Sequence, residues 1–156
     1  MDEKLLEARL DWQSRIAKEQ APLLFHAYER VLLFVTRLEP DQLLNRVGAL
    51  QQDATTYARM LEQNIKEEYE HNLAQQLYIL PGTWEQVNKT QIAVRGMVMQ
   101  ALQKLPQGAT GTDLRQLIWE TWTNQEAPLT LSASLMLKRD VQSILLSSNI
   151  PSEGKR

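Results

Sequence analysis

No cysteine occurs among the 156 residues. That absence excludes disulfides, thiolate nucleophiles and cysteine-ligated zinc, and it suits a reducing compartment. Long apolar runs are missing as well. The longest, Val31 to Val35, falls far short of the roughly 18 residues that cross a bilayer. The opening MDEKLLEARLDW alternates charge with leucine and has no apolar core of a signal peptide. Neither sign of charge dominates. A formal net charge of -2 argues against an extended phosphate-binding surface, so no nucleic-acid partner is expected. Histidine is limited to His26 and His71, and no G-x-S-x-G, P-loop or H-E-x-x-H pattern is present. GATGTD, residues 108–113, is no phosphate loop, because it follows no strand pattern and carries no lysine at the required place. These gaps point to a cytoplasmic chain, either soluble in its own right or membrane-associated through an anchor upstream in a longer native protein.

What remains is a globular composition, 43% hydrophobic and 23% charged, in a length that suits one domain. Glycine and proline, six of each, act as punctuation between stretches of helical periodicity. Residues 2–20 read as a charged helix with a narrow stripe of Leu5, Ala8, Trp12 and Ile16. This stripe is too thin to dock fully, so the helix is expected to pack loosely or to pair with another chain. Pro22 kinks that helix or starts the next one at its first position. In PLLFHAYERVLLFVTRL, residues 22–38, the polar side chains His26, Glu29, Arg30, Thr36 and Arg37 share one sector. The wide apolar arc left over marks a central helix. Phe25, Tyr28, Leu32 and Val35 are therefore expected in the core.

Pro40 opens a short helix that Gly48 ends. Asp53 is a suitable N-cap for a long helix over 54–79, along which an apolar stripe recurs every fourth residue from Tyr57 to Leu77. Pro81-Gly82 is read as a break, with Thr83 and Gln86 forming a capping box for a helix over 84–105. There Val87, Gln91, Val94, Val98, Ala101 and Leu105 form a bundle seam, and Gly96 suggests close approach of a neighbour. PQGATGT, residues 106–112, is a loop. Two more helices follow, over about 112–124 and 129–147. The expected fold is an all-α bundle of five or six mostly antiparallel helices, a single domain over 1–148 with a flexible tail over 149–156.

Two stretches, HAYERVLLFVTRLEPDQLL and IKEEYEHNLAQQLYILPGTWEQV, carry a resemblance to a family of uncharacterised bacterial helical proteins. It covers about residues 22–105 and rests on the order of HAYER, EYEHN, QQLY and the tryptophan that follows. The resemblance implies a helical domain that often sits after a membrane helix. It implies no activity, ligand or catalytic residue.

Two chemical readings compete. The first is an interaction or scaffold domain without enzymatic activity and without a cofactor, whose partner is another protein or a second copy. In it, Arg30, Asn64, Glu67 and His71 form a structural polar network between the two long helices, with Arg30 reaching Glu67, Glu68 or Glu70. Trp119 lies off the apolar face of Leu114, Leu117 and Ile118 and is the candidate contact residue. The second is a metal-dependent bundle enzyme. Glu68 and His71 have the Glu-x-x-His spacing of dimetal carboxylate bundles. His26 and Glu29 would supply the opposing pair in reversed order. The helix over 84–105 offers only Glu85 near its start as a further carboxylate, and Gln91 replaces a bridging carboxylate poorly. The first reading is the better supported, and no metal is expected.

Overall fold

The computed structural model describes residues 2–49 and 51–148. Six α-helices and one 3-10 turn account for its regular structure. The first, α1 (Glu3–Thr36), runs for 34 residues with Pro22 inside it. Asp2 caps its start by accepting from the Lys4 N–H. The helix continues through the proline, which removes one backbone donor without breaking the flanking turns. Then come α2 (Pro40–Arg46), α3 (Ala54–His71), a 3-10 turn (Leu73–Leu77), α4 (Pro81–Lys104), α5 (Gly111–Thr123) and α6 (Leu131–Ser148). The all-α bundle expected from periodicity is the observed fold. The tail expected over 149–156 lies outside the described residues.

The core forms where the apolar faces meet. Val31, Phe34 and Val35 of α1 and Leu38 just past it pack with Leu43 and Leu44 of α2. Tyr57, Leu61 and Ile65 of α3, Val87, Val94 and Val98 of α4, Leu114 and Ile118 of α5 and Leu137 of α6 complete it. The seam read on α4 is correct. Val87, Gln91, Val94, Val98 and Ala101 are all buried, and the Gln91 amide is satisfied by donating to Asn88 at 2.9 Å. Two of the neighbouring pairs run antiparallel. Glu62 and Tyr69 of α3 meet Arg95 and Trp84 of α4 in reverse order. Tyr28 and Glu39, in and just after α1, likewise meet Asp140 of α6 and Thr130 just before it.

Several local expectations need correction. The helix over 54–79 stops at His71. Leu73 and Leu77 fall in the 3-10 turn past the end of α3, where the α-helical spacing of the stripe no longer holds, and both are exposed. The Asn72 side chain donates to the Glu68 carbonyl at 2.7 Å and helps end the helix. Pro81 does not break the chain but opens α4 in its first turn, as Pro40 opens α2. Thr83 is consequently inside α4, and its hydroxyl donates to Asp140 instead of capping. The capping box occurs further on, between Thr110 and Asp113 at the start of α5. A Cβ at Gly96 would meet nothing within 4 Å, so no neighbour requires that glycine.

The close approach is at Gly111. A Cβ there would lie 3.0 Å from the Ala49 carbonyl oxygen and 3.2 Å from that of Gln52. The loop after α2 and the loop before α5 are stapled at this point. The Gly111 N–H donates to the Gln52 carbonyl at 2.7 Å, and the Ala54 N–H donates to the Ala109 carbonyl at 2.9 Å. Phe25 and Leu32 are less covered than expected. They are half-buried and line a groove between α1 and α6, whereas Tyr28 and Val35 are in the core.

Candidate functional site

The densest polar constellation lies where the end of α1, α2 and the last turns of α3 converge. Glu68 is its centre. Arg37, just past α1, approaches Glu68 in a fork, with Nε 2.9 Å from Oε1 and 3.2 Å from Oε2, and Nη2 also donating to Oε1. Arg46, the last residue of α2, reaches across to the same carboxylate, Nη2 lying 3.4 Å from Oε2. Arg46 also donates to the Asn64 side-chain oxygen from Nε and Nη2, each at 3.1 Å, and to the Arg37 carbonyl at 3.1 Å. Two guanidinium groups thus share one carboxylate, and Arg46 also donates to an amide and to backbone oxygens. The hydrogen bonds to Glu68 push the Arg37 guanidinium further above its ordinary value. Burial pulls that of Arg46 below it, against the attraction of Glu68. A paired, partly buried cluster of this kind fixes the geometry of three helices and leaves little free charge for chemistry.

The expected network is redrawn by these contacts. Asn64 belongs to it. Arg30, Glu67 and His71 do not take the parts assigned to them. Arg30 and His71 line the same shallow cleft as Glu68, but both are exposed and Arg30 forms no ion pair among the described residues. The position that reaches the carboxylate is Arg37, two turns further along the same polar sector. Glu67 accepts instead from Gln63 on its own helix at 2.7 Å, and Glu70 stands 3.9 Å from Lys66. Sequence reasoning had Arg37 in the right sector but did not use it. Arg46 carried no signal beyond ending a short helix, because its role depends on where α2 turns back.

The four residues of the metal reading are not brought together. His26 and Glu29 form one exposed pair, 3.9 Å apart, on the outer side of α1. Glu68 is occupied by two arginines. Among the described residues no group of three or more histidine, aspartate or glutamate side chains is placed to hold a metal ion. Glu85 instead pairs with Lys89 at 3.2 Å on the surface of α4.

Two further polar features went unread in the sequence. Tyr28 donates to the Asp140 carboxylate at 2.9 Å and accepts from the Leu80 N–H at 3.2 Å, tying α1 to α6 and to the start of α4. Burial, with Asp140 adding to it, pushes the Tyr28 phenol up to about 12. It therefore stays protonated at any physiological pH. Arg95 of α4 pairs with Glu62 of α3 at 3.1 Å. This pair borders an open cleft of about 840 Å³ that also contains Arg46, Arg59 and Lys66.

The aromatic residues have different settings. Trp84 stacks on Tyr69 at 5.7 Å, and Tyr69 packs on Phe34 at 6.0 Å, so this tryptophan anchors helices rather than facing a ligand. Trp119 is 48% exposed and lines a smaller cleft with Pro40, Leu44 and Arg115. A run of exposed apolar side chains lies elsewhere, on the first half of α1. There Leu5, Leu6, Leu10 and Trp12 are 68%, 44%, 56% and 59% exposed.

No helix among the described residues is long and apolar enough to cross a membrane. No curated protein and no solved structure matches the chain. A family model matches residues 1–144, well beyond the 22–105 over which the resemblance was read, and takes in all of α1 and α5 and most of α6. The chain belongs to a family of unknown function, DUF7935.

Proposed function

We propose that this chain is a non-enzymatic interaction domain. The bundle from the second half of α1 to α6 is its rigid base, and residues 3–21 of α1 are the surface it offers to a protein. The observation that carries this reading is the run of large apolar side chains left in solvent on that segment. Exposed leucine and tryptophan in a row, on a helix flanked by charge, is the composition of a helix awaiting a partner. Trp119, beside its small cleft, is a subsidiary contact in this reading. The polar clusters support it by their pairing, since the charges of Glu68 and Glu62 are engaged by arginines. Support for a cytoplasmic setting is the lack of cysteine. The resemblance through HAYER and EYEHN supports a bacterial source and attachment near a membrane.

Two measurements test the proposal. Elemental analysis of protein purified without chelator should give iron, manganese and zinc far below one per chain. A stoichiometric metal that is lost in Glu68→Ala or His71→Ala would return the enzyme reading. A version lacking residues 1–20 should keep a single cooperative unfolding transition. Loss of cooperativity would make the segment part of the core rather than a presented surface.

A further inference from the structure

We infer that residues 3–21 of α1 pair antiparallel with the same segment of a second copy of this chain. The inference rests on the interaction reading and goes beyond it by naming the occupant.

The first ground is a seam that outruns its cover. Leu6, Leu10, Gln13, Ala17, Ala21, Leu24, Tyr28, Val31, Val35 and Leu38 follow one another at spacings of three and four. That spacing places them on one face of α1, as in helix pairs that pack along their length. The second half of this seam is covered by the chain itself, with Tyr28, Val31, Val35 and Leu38 buried. The first half is not: Leu6 and Leu10 stand in solvent, while the exposed Leu5 and Trp12 lie on another face of the helix. The antiparallel neighbour α6 places Asp140 at Tyr28. Continued in that register, its last described turn comes level with about residue 20 of α1. Some 18 residues of α1, about 27 Å of helix at 1.5 Å per residue, extend past it.

The second ground is charge. Residues 2–11 carry four acids (Asp2, Glu3, Glu7, Asp11) against two bases (Lys4, Arg9). Residues 12–21 carry two bases (Arg15, Lys18) against one acid (Glu19). An antiparallel pair sets the acidic half of each copy against the basic half of the other, while a parallel pair sets like against like. A crossing between Leu10 and Gln13 also places Leu6 of one copy opposite Ala17 of the other, large against small. The same balance disfavours an anionic lipid surface, which needs an excess of bases on such a helix. Two short helices bury less than the roughly 1,200 Å² of a standard interface, so the pair is concentration-dependent.

Sedimentation equilibrium of the full chain, from low micromolar to submillimolar concentration, tests this. The mass should rise from one chain toward two. The double variant Glu3→Lys with Glu7→Lys and the single variant Lys18→Glu should each weaken self-association, the former about tenfold or more. An equimolar mixture of the two should restore it. These positions are exposed, so both variants should keep the melting temperature of the parent. A chain that stays single at every concentration overturns the inference. So does a dimer that neither variant weakens, or a mixture that fails to recover. Binding to phosphatidylserine vesicles without self-association overturns it too. Amide chemical shifts of residues 3–20 in the full chain separate the two levels of the argument. Helical shifts in a chain that stays single at every concentration remove only the self-pairing, whereas random-coil shifts at submillimolar concentration remove the interaction reading with it.

Discussion

The same substitution, arginine to methionine, should have very different costs at three positions within a few turns of one another. Arg30 is exposed and makes no ion pair among the described residues, so Arg30→Met should change stability by no more than about 0.5 kcal/mol. Arg37 keeps 34% of its side chain in solvent and forks onto Glu68. Breaking a fully buried pair costs about 3–5 kcal/mol, and solvent at this depth discounts that to about 1–2 kcal/mol. Arg46 is deeper, with 20% of its side chain exposed, and it serves Asn64, the Arg37 carbonyl and Glu68 together. Its loss leaves three acceptors short, and Arg46→Met should cost about 2–3 kcal/mol. Urea unfolding followed by tryptophan fluorescence, with the slope held common to all variants, measures the series. A double-mutant cycle between Arg37→Met and Glu68→Gln should give a coupling of about 1 kcal/mol. If Arg30→Met costs as much as Arg46→Met, the polar junction is centred elsewhere and the argument from its geometry fails.

Core depth should separate two leucines. Leu61→Ala, at a fully buried site, should cost about 2–5 kcal/mol. Leu32→Ala, half-buried beside the groove between α1 and α6, should fall near 1–2 kcal/mol, both read from urea midpoints. Gly96→Ala should stabilise α4 by up to about 1 kcal/mol, since the added methyl meets nothing. Gly111→Ala should destabilise by about 1–3 kcal/mol, because its Cβ would press on two backbone oxygens. Asp53 and Asp113 have carboxyls held below the ordinary aspartate value, first by hydrogen bonds from the backbone N–H groups of Thr56 and Thr110. Their folded value lies below the unfolded one. Their contribution is therefore complete above about pH 4 and is lost as the pH falls through the folded value. The double variant Asp53→Asn, Asp113→Asn keeps its capping oxygens and should show a shallower loss of melting temperature between about pH 4 and pH 2.

Helix number, the seam of α4 and the central place of the second half of α1 were legible because burial repeats along a helix and leaves a period in the sequence. The end of α3 was not. Leu73 and Leu77 are apolar in composition but exposed in place, and a one-dimensional pattern does not say where the helix that carries a stripe ends. The polar junction was legible only in part. The sector containing Arg30 and Arg37 could be drawn on a wheel, but choosing between them needs the crossing height of α1 and α3. Arg46 depends on how α2 folds back, a tertiary fact with no local signature. Tyr28 was read as apolar bulk, although its hydroxyl joins three helices. Of the thin stripe, Leu5 and Trp12 are exposed and Ile16 is half-buried. The fuller seam through Leu6 and Leu10 becomes visible once the covered half of α1 shows which face to follow.

The claim that the first half of α1 stands clear of its own bundle is tested most directly by native-state hydrogen exchange on the full chain at two protein concentrations. At low micromolar concentration, the amides of residues 3–20 should exchange within the fastest class, since an isolated helical segment of this length is marginal in water. Those of residues 27–35 should exchange only at the rate set by global unfolding. At submillimolar concentration the first group should become protected and the second should not change. Protection of residues 3–20 equal to that of residues 27–35 at both concentrations would place the segment in the core and contradict the account.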